Sequence, residues 1–186
     1  MITIYIHGFS GSGQGSKAKL FREYFKNKNI SFIAPSLSYV PELAITTLEE
    51  IIESYNGEVN LIGSSMGGFY AIYLGNKYNL NTVLLNPSIY PYKTLSNTSN
   101  ATPNFYDNSS FEWNSSHLDM LKKYEVKNLK KENFMLLVQK GDELLDYKEA
   151  VNKMEGSRML IEENGNHSFE GVEKHFKEIE FFCNNL

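Results

Sequence analysis

The chain has 186 residues, 41% of them apolar, and a formal net charge of −4. This length supports one domain with a sizeable core. The charge offers no basic field to a nucleic acid, and no apolar run approaches the roughly 20 residues of a membrane-spanning helix. Cys183 is the single cysteine, so an intrachain disulfide and a thiolate metal cluster are both excluded, and a reducing, cytoplasmic setting is expected.

In chain order, Ile2 to Ile6 is a β-rich run that stops at His7 without a basic leader or cleavage site, and reads as a strand. A glycine-rich loop, Gly8 to Gly15, follows, with Ser16 as the expected N-cap of a helix over Lys17 to Lys26. Ile30 to Ala34 predicts a second strand. Pro41 then opens a helix with Ile45, Leu48, Ile51, Ile52 and Tyr55 on one face. Further strands are expected at Val59 to Ile62, Thr82 to Leu85, Phe134 to Gln139 and Arg158 to Ile161. Helices are expected at Met66 to Lys77, Leu118 to Tyr124, Tyr147 to Lys153 and Val172 to Asn184. Short strands alternating with amphipathic helices predict a three-layer α/β/α domain with a mostly parallel sheet of about six strands.

The region 87–125 breaks this rhythm. It is rich in Asn, Ser and Thr and carries Tyr90, Tyr92, Phe105, Tyr106, Phe111 and Trp113. Such length and aromatic content predict a lid or pocket wall, with Tyr90, Tyr92, Phe111 and Trp113 as candidate pocket residues; aromatics packed simply on the core are the plainer alternative. Six N-x-S/T sequons, at Asn29, Asn97, Asn100, Asn108, Asn114 and Asn166, are read as compositional, since nothing in the sequence encodes entry to a secretory lumen.

Gly63-Ser64-Ser65-Met66-Gly67 reads G-x-S-x-G between an expected strand and an expected helix. That context marks Ser65 as a candidate nucleophile, raised on a tight turn with the Met66 N–H at a helix N-terminus where an oxyanion could be held. A serine needs a base and a group to orient it. His167, in the loop 164–169 after the last strand, is the best placed of four histidines. His175 reads as an exposed helix position, His117 lies in the expected lid, and His7 is expected to shape the first loop and border the pocket. Asp142 follows a strand and suits the orienting acid. Asp146 competes, but its D-x-x-E spacing with Glu149 gives it a capping role. The second oxyanion donor is expected to be the Phe9 N–H, beside the side-chain-free Gly8.

With these motifs in order, the chain resembles the α/β-hydrolase superfamily and, within it, the small YqiA-like esterase family. The resemblance spans nearly the full length. It rests on Tyr5-Ile6-His7-Gly8-Phe9, Ile62 to Gly68, Asn86-Pro87, Gly141 to Tyr147 and Gly165-Asn166-His167-Ser168-Phe169. It implies hydrolysis of a small-molecule acyl ester or thioester without metal or organic cofactor. The Asn/Ser-rich middle is where this chain departs from the family pattern.

Two other classes compete. Gly11-Ser12-Gly13-Gln14-Gly15-Ser16 follows a strand as a dinucleotide loop would, but the third fingerprint position is Ser16 and no acid closes the second strand; Gly15-Ser16-Lys17 lacks the Walker order. A binding protein that keeps the hydrolase shell is the other. The same three residues could also serve peptide, lactone or carbon–carbon bond cleavage.

Overall fold

The computed structural model describes residues 1–98 and 101–184; the sequon at Asn100 lies outside the described residues. Six strands, β1 (Ile2–Ile6), β2 (Ser31–Ile33), β3 (Val59–Ser65), β4 (Thr82–Pro87), β7 (Phe134–Gln139) and β8 (Arg158–Glu162), form one sheet in the order β2-β1-β3-β4-β7-β8. Every neighbouring pair in it is parallel. Between β4 and β7, β5 (Ala101–Pro103) and β6 (Ser110–Glu112) make a separate antiparallel hairpin.

The strands are apolar on both faces because helices cover both. On one side α1 (Ser16–Asn27) and α7 (Phe176–Asn184) supply Phe21, Phe25, Phe176 and Ile179 against Tyr5, Val83, Met135 and Leu137. On the other, α2 (Pro41–Ser54), α3 (Met66–Tyr78), α5 (Ser115–Lys122) and α6 (Tyr147–Lys153) bury Leu48, Phe69, Leu121 and Ala150 against Ile4, Leu84, Leu136 and Val138. Alternate residues of one strand thus serve opposite cores. The short α4 (Pro91–Thr94) follows β4.

Several local expectations need correction. Ser16 is the first helical residue of α1, and the cap position is Gly15, which offers no side-chain acceptor. Tyr55 lies beyond α2 and is 42% exposed. The segment from Val172 begins as a 3-10 turn, Val172–His175, before α7. The helix expected from Leu118 starts earlier, at Ser115, because Asn114 and His117 form a reciprocal cap across its first turn. The expected capping role of Asp146 needs no correction: it caps α6 by accepting the Lys148 N–H at 3.0 Å.

Candidate active site

The chain runs outward from β1 to β2 and returns to β3 on the other flank of β1. The loops leaving β1 and β3 therefore diverge, which opens a crevice at their carboxyl ends. Ser65, the last residue of β3, stands in that crevice and caps α3 with φ 55° and ψ −125°. A residue with a Cβ adopts this region at a cost, so packing must hold it there. Gly67 shows how: a Cβ on it would come within 2.1 Å of the Ile6 carbonyl oxygen. Only glycine lets α3 press onto β1 this closely.

The His167 Nε2 lies 2.9 Å from Ser65 Oγ, and its Nδ1 lies 2.9 and 3.0 Å from the two Asp142 carboxylate oxygens. With Nδ1 facing a carboxylate, the ring proton belongs there, and Nε2 is left to accept from the serine hydroxyl. The Asp142 side chain is only 2% exposed, and its Oδ1 also accepts the N–H groups of Leu144 and Leu145, each at 2.9 Å. Burial alone would raise this carboxyl. The hydrogen bonds from His167, Leu145 and Leu144 outweigh it and hold Asp142 below the ordinary carboxylate range. Asp146, the rival acid, stays with α6.

A polar bracket fixes the base loop. Asn86 donates to the carbonyls of Asn166 at 2.9 Å and His167 at 3.4 Å, and accepts the Gln139 N–H at 2.9 Å. The Gln139 side chain in turn accepts the N–H groups of Asn166 and Glu170, both at 3.0 Å, and donates to Glu162. Glu143 accepts the His167 N–H at 2.9 Å. Reading residues singly misses Gln139, which looks like an ordinary strand end; Asn86 was visible only as half of an Asn-Pro pair.

Opposite Ser65, Gly8 comes so close that a Cβ there would sit 3.0 Å from Ser65 Cβ. The neighbouring Phe9 N–H has no protein acceptor among the described residues. The Met66 N–H lies in the first turn of α3, where backbone donors have no intrahelical partner. Both candidate oxyanion donors are thus uncommitted. His7 braces this loop: its Nε2 accepts the Leu37 N–H at 3.0 Å and its Nδ1 contacts the Gly8 carbonyl oxygen at 2.8 Å. Those partners require the neutral Nδ1–H tautomer. Burial agrees, pushing the His7 pKa down against the opposing Gly8 bond.

Two cavities reach Ser65. One, of about 330 Å³, is walled by Phe9, Met66, Pro91, Leu95, Phe105, Leu144 and Leu145. The other, of about 560 Å³, has a polar wall that includes Ser12, Lys17, Lys19 and Ser168. A third, of about 230 Å³, lies behind Gly8 and is bordered by His7 and Phe111.

The expected pocket residues divide accordingly. His7 and Phe111 border cavities at the site. Tyr90 and Tyr92 do not; Tyr90 stacks under the Lys93 ammonium and Tyr92 donates to Glu125 at 2.6 Å. Trp113 is 1% exposed, stacked on His117 and edge-on to Phe9, so it backs the loop instead of touching the cavities. The aromatics that overhang Ser65 are Phe105 and Tyr106, at the tip of the β5–β6 hairpin, 73% and 68% exposed. His175, expected to be exposed, is largely covered and contacts Glu162 at 2.9 Å. Among the described residues, no group of three or more His, Cys, Asp or Glu is placed to hold a metal ion, and no helix is long and apolar enough to cross a membrane.

Comparison with solved structures agrees with this architecture. The chain superposes on a monoacylglycerol lipase from Paleococcus ferrophilus with a TM-score of 0.72 at 16% identity, covering 98% of this chain and 93% of that one. It superposes on the ferulic acid-bound Est1E of Butyrivibrio proteoclasticus with a TM-score of 0.71 at 10% identity, covering 98% and 86%. An alpha/beta superfamily hydrolase from Oenococcus oeni PSU-1 gives 0.67 at 16% identity, covering 100% and 93%. The fold is that of the α/β hydrolases. Within that class, residues 2–184 match the model of an uncharacterised protein family, UPF0227, and the chain belongs to it. Relatives include UPF0227 proteins of Yersinia pseudotuberculosis (serotype O:1b, strain IP 31758) and Yersinia pestis (bv. Antiqua, strain Angola). Each is 22% identical over 184 residues, covering 96% of this chain and 97% of theirs.

Proposed function

We propose that this protein is a serine hydrolase that cleaves small carboxylic esters or thioesters through an acyl-enzyme. The observation that carries the reading is the continuous hydrogen-bonded line from Ser65 Oγ through the His167 ring to the Asp142 carboxylate, 2.9 Å at each step. Ser65 Oγ attacks the acyl carbonyl while its proton passes to His167 Nε2, and Asp142 stabilises the imidazolium. The carbonyl oxygen becomes an oxyanion facing the N–H groups of Phe9 and Met66. When the tetrahedral centre collapses, His167 returns the proton to the departing alcohol or thiol. Water, deprotonated by the same imidazole, then releases the acid and regenerates Ser65.

The apolar cavity beside Leu95, Leu144 and Leu145 suits the acyl chain, and the hairpin tip at Phe105 forms part of its rim. The Cys183 thiol is buried and unpaired, which fits the cytoplasmic setting included in this reading. Intact-mass analysis after treatment with a fluorophosphonate tests the proposal. One adduct on the wild type, absent from Ser65→Ala, is expected; an adduct on both proteins, or on neither, would refute it.

A further inference from the structure

Beyond Phe9, the glycine-rich loop from Gly11 to Gly15 and the start of α1 take no part in the chemistry above, yet they wall the larger cavity that opens onto Ser65. Lys17 and Lys19 border this cavity, together with Ser12 and Ser16, and no carboxylate lies among its lining residues. In a chain of net charge −4, this is a local reversal of sign. Lys17 Nζ donates to the Ser168 carbonyl at 2.8 Å, which fixes its ammonium one residue from the candidate base. Lys19 makes no ion pair among the described residues. The N-cap of α1 is a glycine, so no side chain engages the first N–H groups of that helix.

From this arrangement we infer that the polar cavity binds an anionic group, carboxylate or phosphate, on the leaving-group side of the ester. The inference rests on the proposed hydrolase reading and adds the substrate's charge. Apolar acyl chain and anionic leaving group would then occupy the two cavities that meet at Ser65. Burial pushes the Lys17 pKa down to about 8, against the opposing field of Asp142. Asp142 is already engaged by His167 and two backbone N–H groups, so a substrate anion would supply a counter-charge that the protein leaves unfilled.

The test uses the full-length protein and three phenyl butyrates whose leaving phenol carries a carboxamide, a carboxylate or a phosphonate. Wild type is expected to favour an anionic ester over the carboxamide by about tenfold in kcat/KM, mostly through KM, as for one charge-assisted contact. In the Lys17→Met/Lys19→Met double variant this ratio should fall towards one, while Lys17→Arg keeps most of it. Because Lys17 also holds the Ser168 carbonyl, the ratio is the readout; damage to the triad cancels in it. Of the two anions, the one whose ratio collapses further identifies the group the cavity takes. A ratio that does not move in the double variant overturns the inference. Calorimetric titration of the same esters into Ser65→Ala separates the two levels. Lysine-dependent binding of the anionic ester without turnover by wild type would refute the hydrolase reading alone. Turnover with no lysine-dependent preference refutes the anion site alone.

Discussion

The Asn86 side chain accepts the Gln139 backbone N–H at 2.9 Å and, from its other end, donates to the Asn166 carbonyl at 2.9 Å. One carboxamide thereby joins the strand that leads to Asp142 with the loop that carries His167. Asn86 also holds a φ of +40°, a conformation that asparagine tolerates better than most residues. Its replacement strands the buried Gln139 N–H and removes one of the two donors to the Asn166 carbonyl, the other being the Phe169 N–H.

Asn86→Ala is therefore expected to lose about 1–3 kcal/mol of stability and to lower kcat more than KM, because the base is displaced while the cavities remain. Urea unfolding and steady-state kinetics on a neutral ester check this. A normal kcat in a destabilised protein would limit Asn86 to a structural role.

Gly8 and Gly67 are both in close contact, yet their substitutions should fail differently. A methyl at Gly67 meets the Ile6 and His7 carbonyl oxygens at 2.1 and 2.5 Å, and two packed backbones cannot yield. Gly67→Ala should prevent stable folding, seen as loss of a cooperative melt. At Gly8 the nearest atom is Ser65 Cβ at 3.0 Å, with Ser65 Oγ and the Ser64 carbonyl oxygen both at 3.4 Å. Gly8→Ala should fold, with roughly a tenfold or greater loss of kcat as the nucleophile is crowded.

Ser65 pays for its position in backbone strain, with φ 55° and ψ −125°. Removing the Cβ removes that strain, so Ser65→Gly should be more stable than Ser65→Ala by about 1 kcal/mol, while both lose activity by roughly 10⁴. Thermal melts of the two variants side by side provide the measurement; equal midpoints would show that the turn is not strained.

The neutral His7 gives stability a pH dependence. Its pKa lies below the ordinary 6.5 in the folded protein, so on acidification the unfolded chain takes up the proton first. Stability from this group is fully present above about pH 6.5 and declines as pH falls towards the folded value. His7→Gln should therefore show a shallower loss of unfolding free energy between about pH 7.5 and 5.5. An identical slope in both proteins would remove His7 as the cause.

Much of this was legible in the sequence because its signals are local. β-branched runs and helical periods placed the six strands of the main sheet to within a few residues, and the alternation of strand with helix predicted the parallel sheet. The candidate nucleophile, acid and base stood out through residue type and strand-end position. The small hairpin of β5 and β6 did not, since three-residue strands carry too little pattern to be recognised.

By itself, then, the sequence determined the chain order of the main-sheet strands and their flanking helices, the fold class and the three candidate residues that line up in the site. Tertiary structure alone decided what meets them. Ser65 and His167 are 102 positions apart, and Asn86 and Gln139 are 53 apart. Contacts of that range depend on how two cores close around a twisted sheet, and no local propensity encodes them. The same packing turned Tyr90 and Tyr92 away from the crevice, sank Trp113 beneath it, and brought Phe105, Tyr106 and Lys17 to its edge.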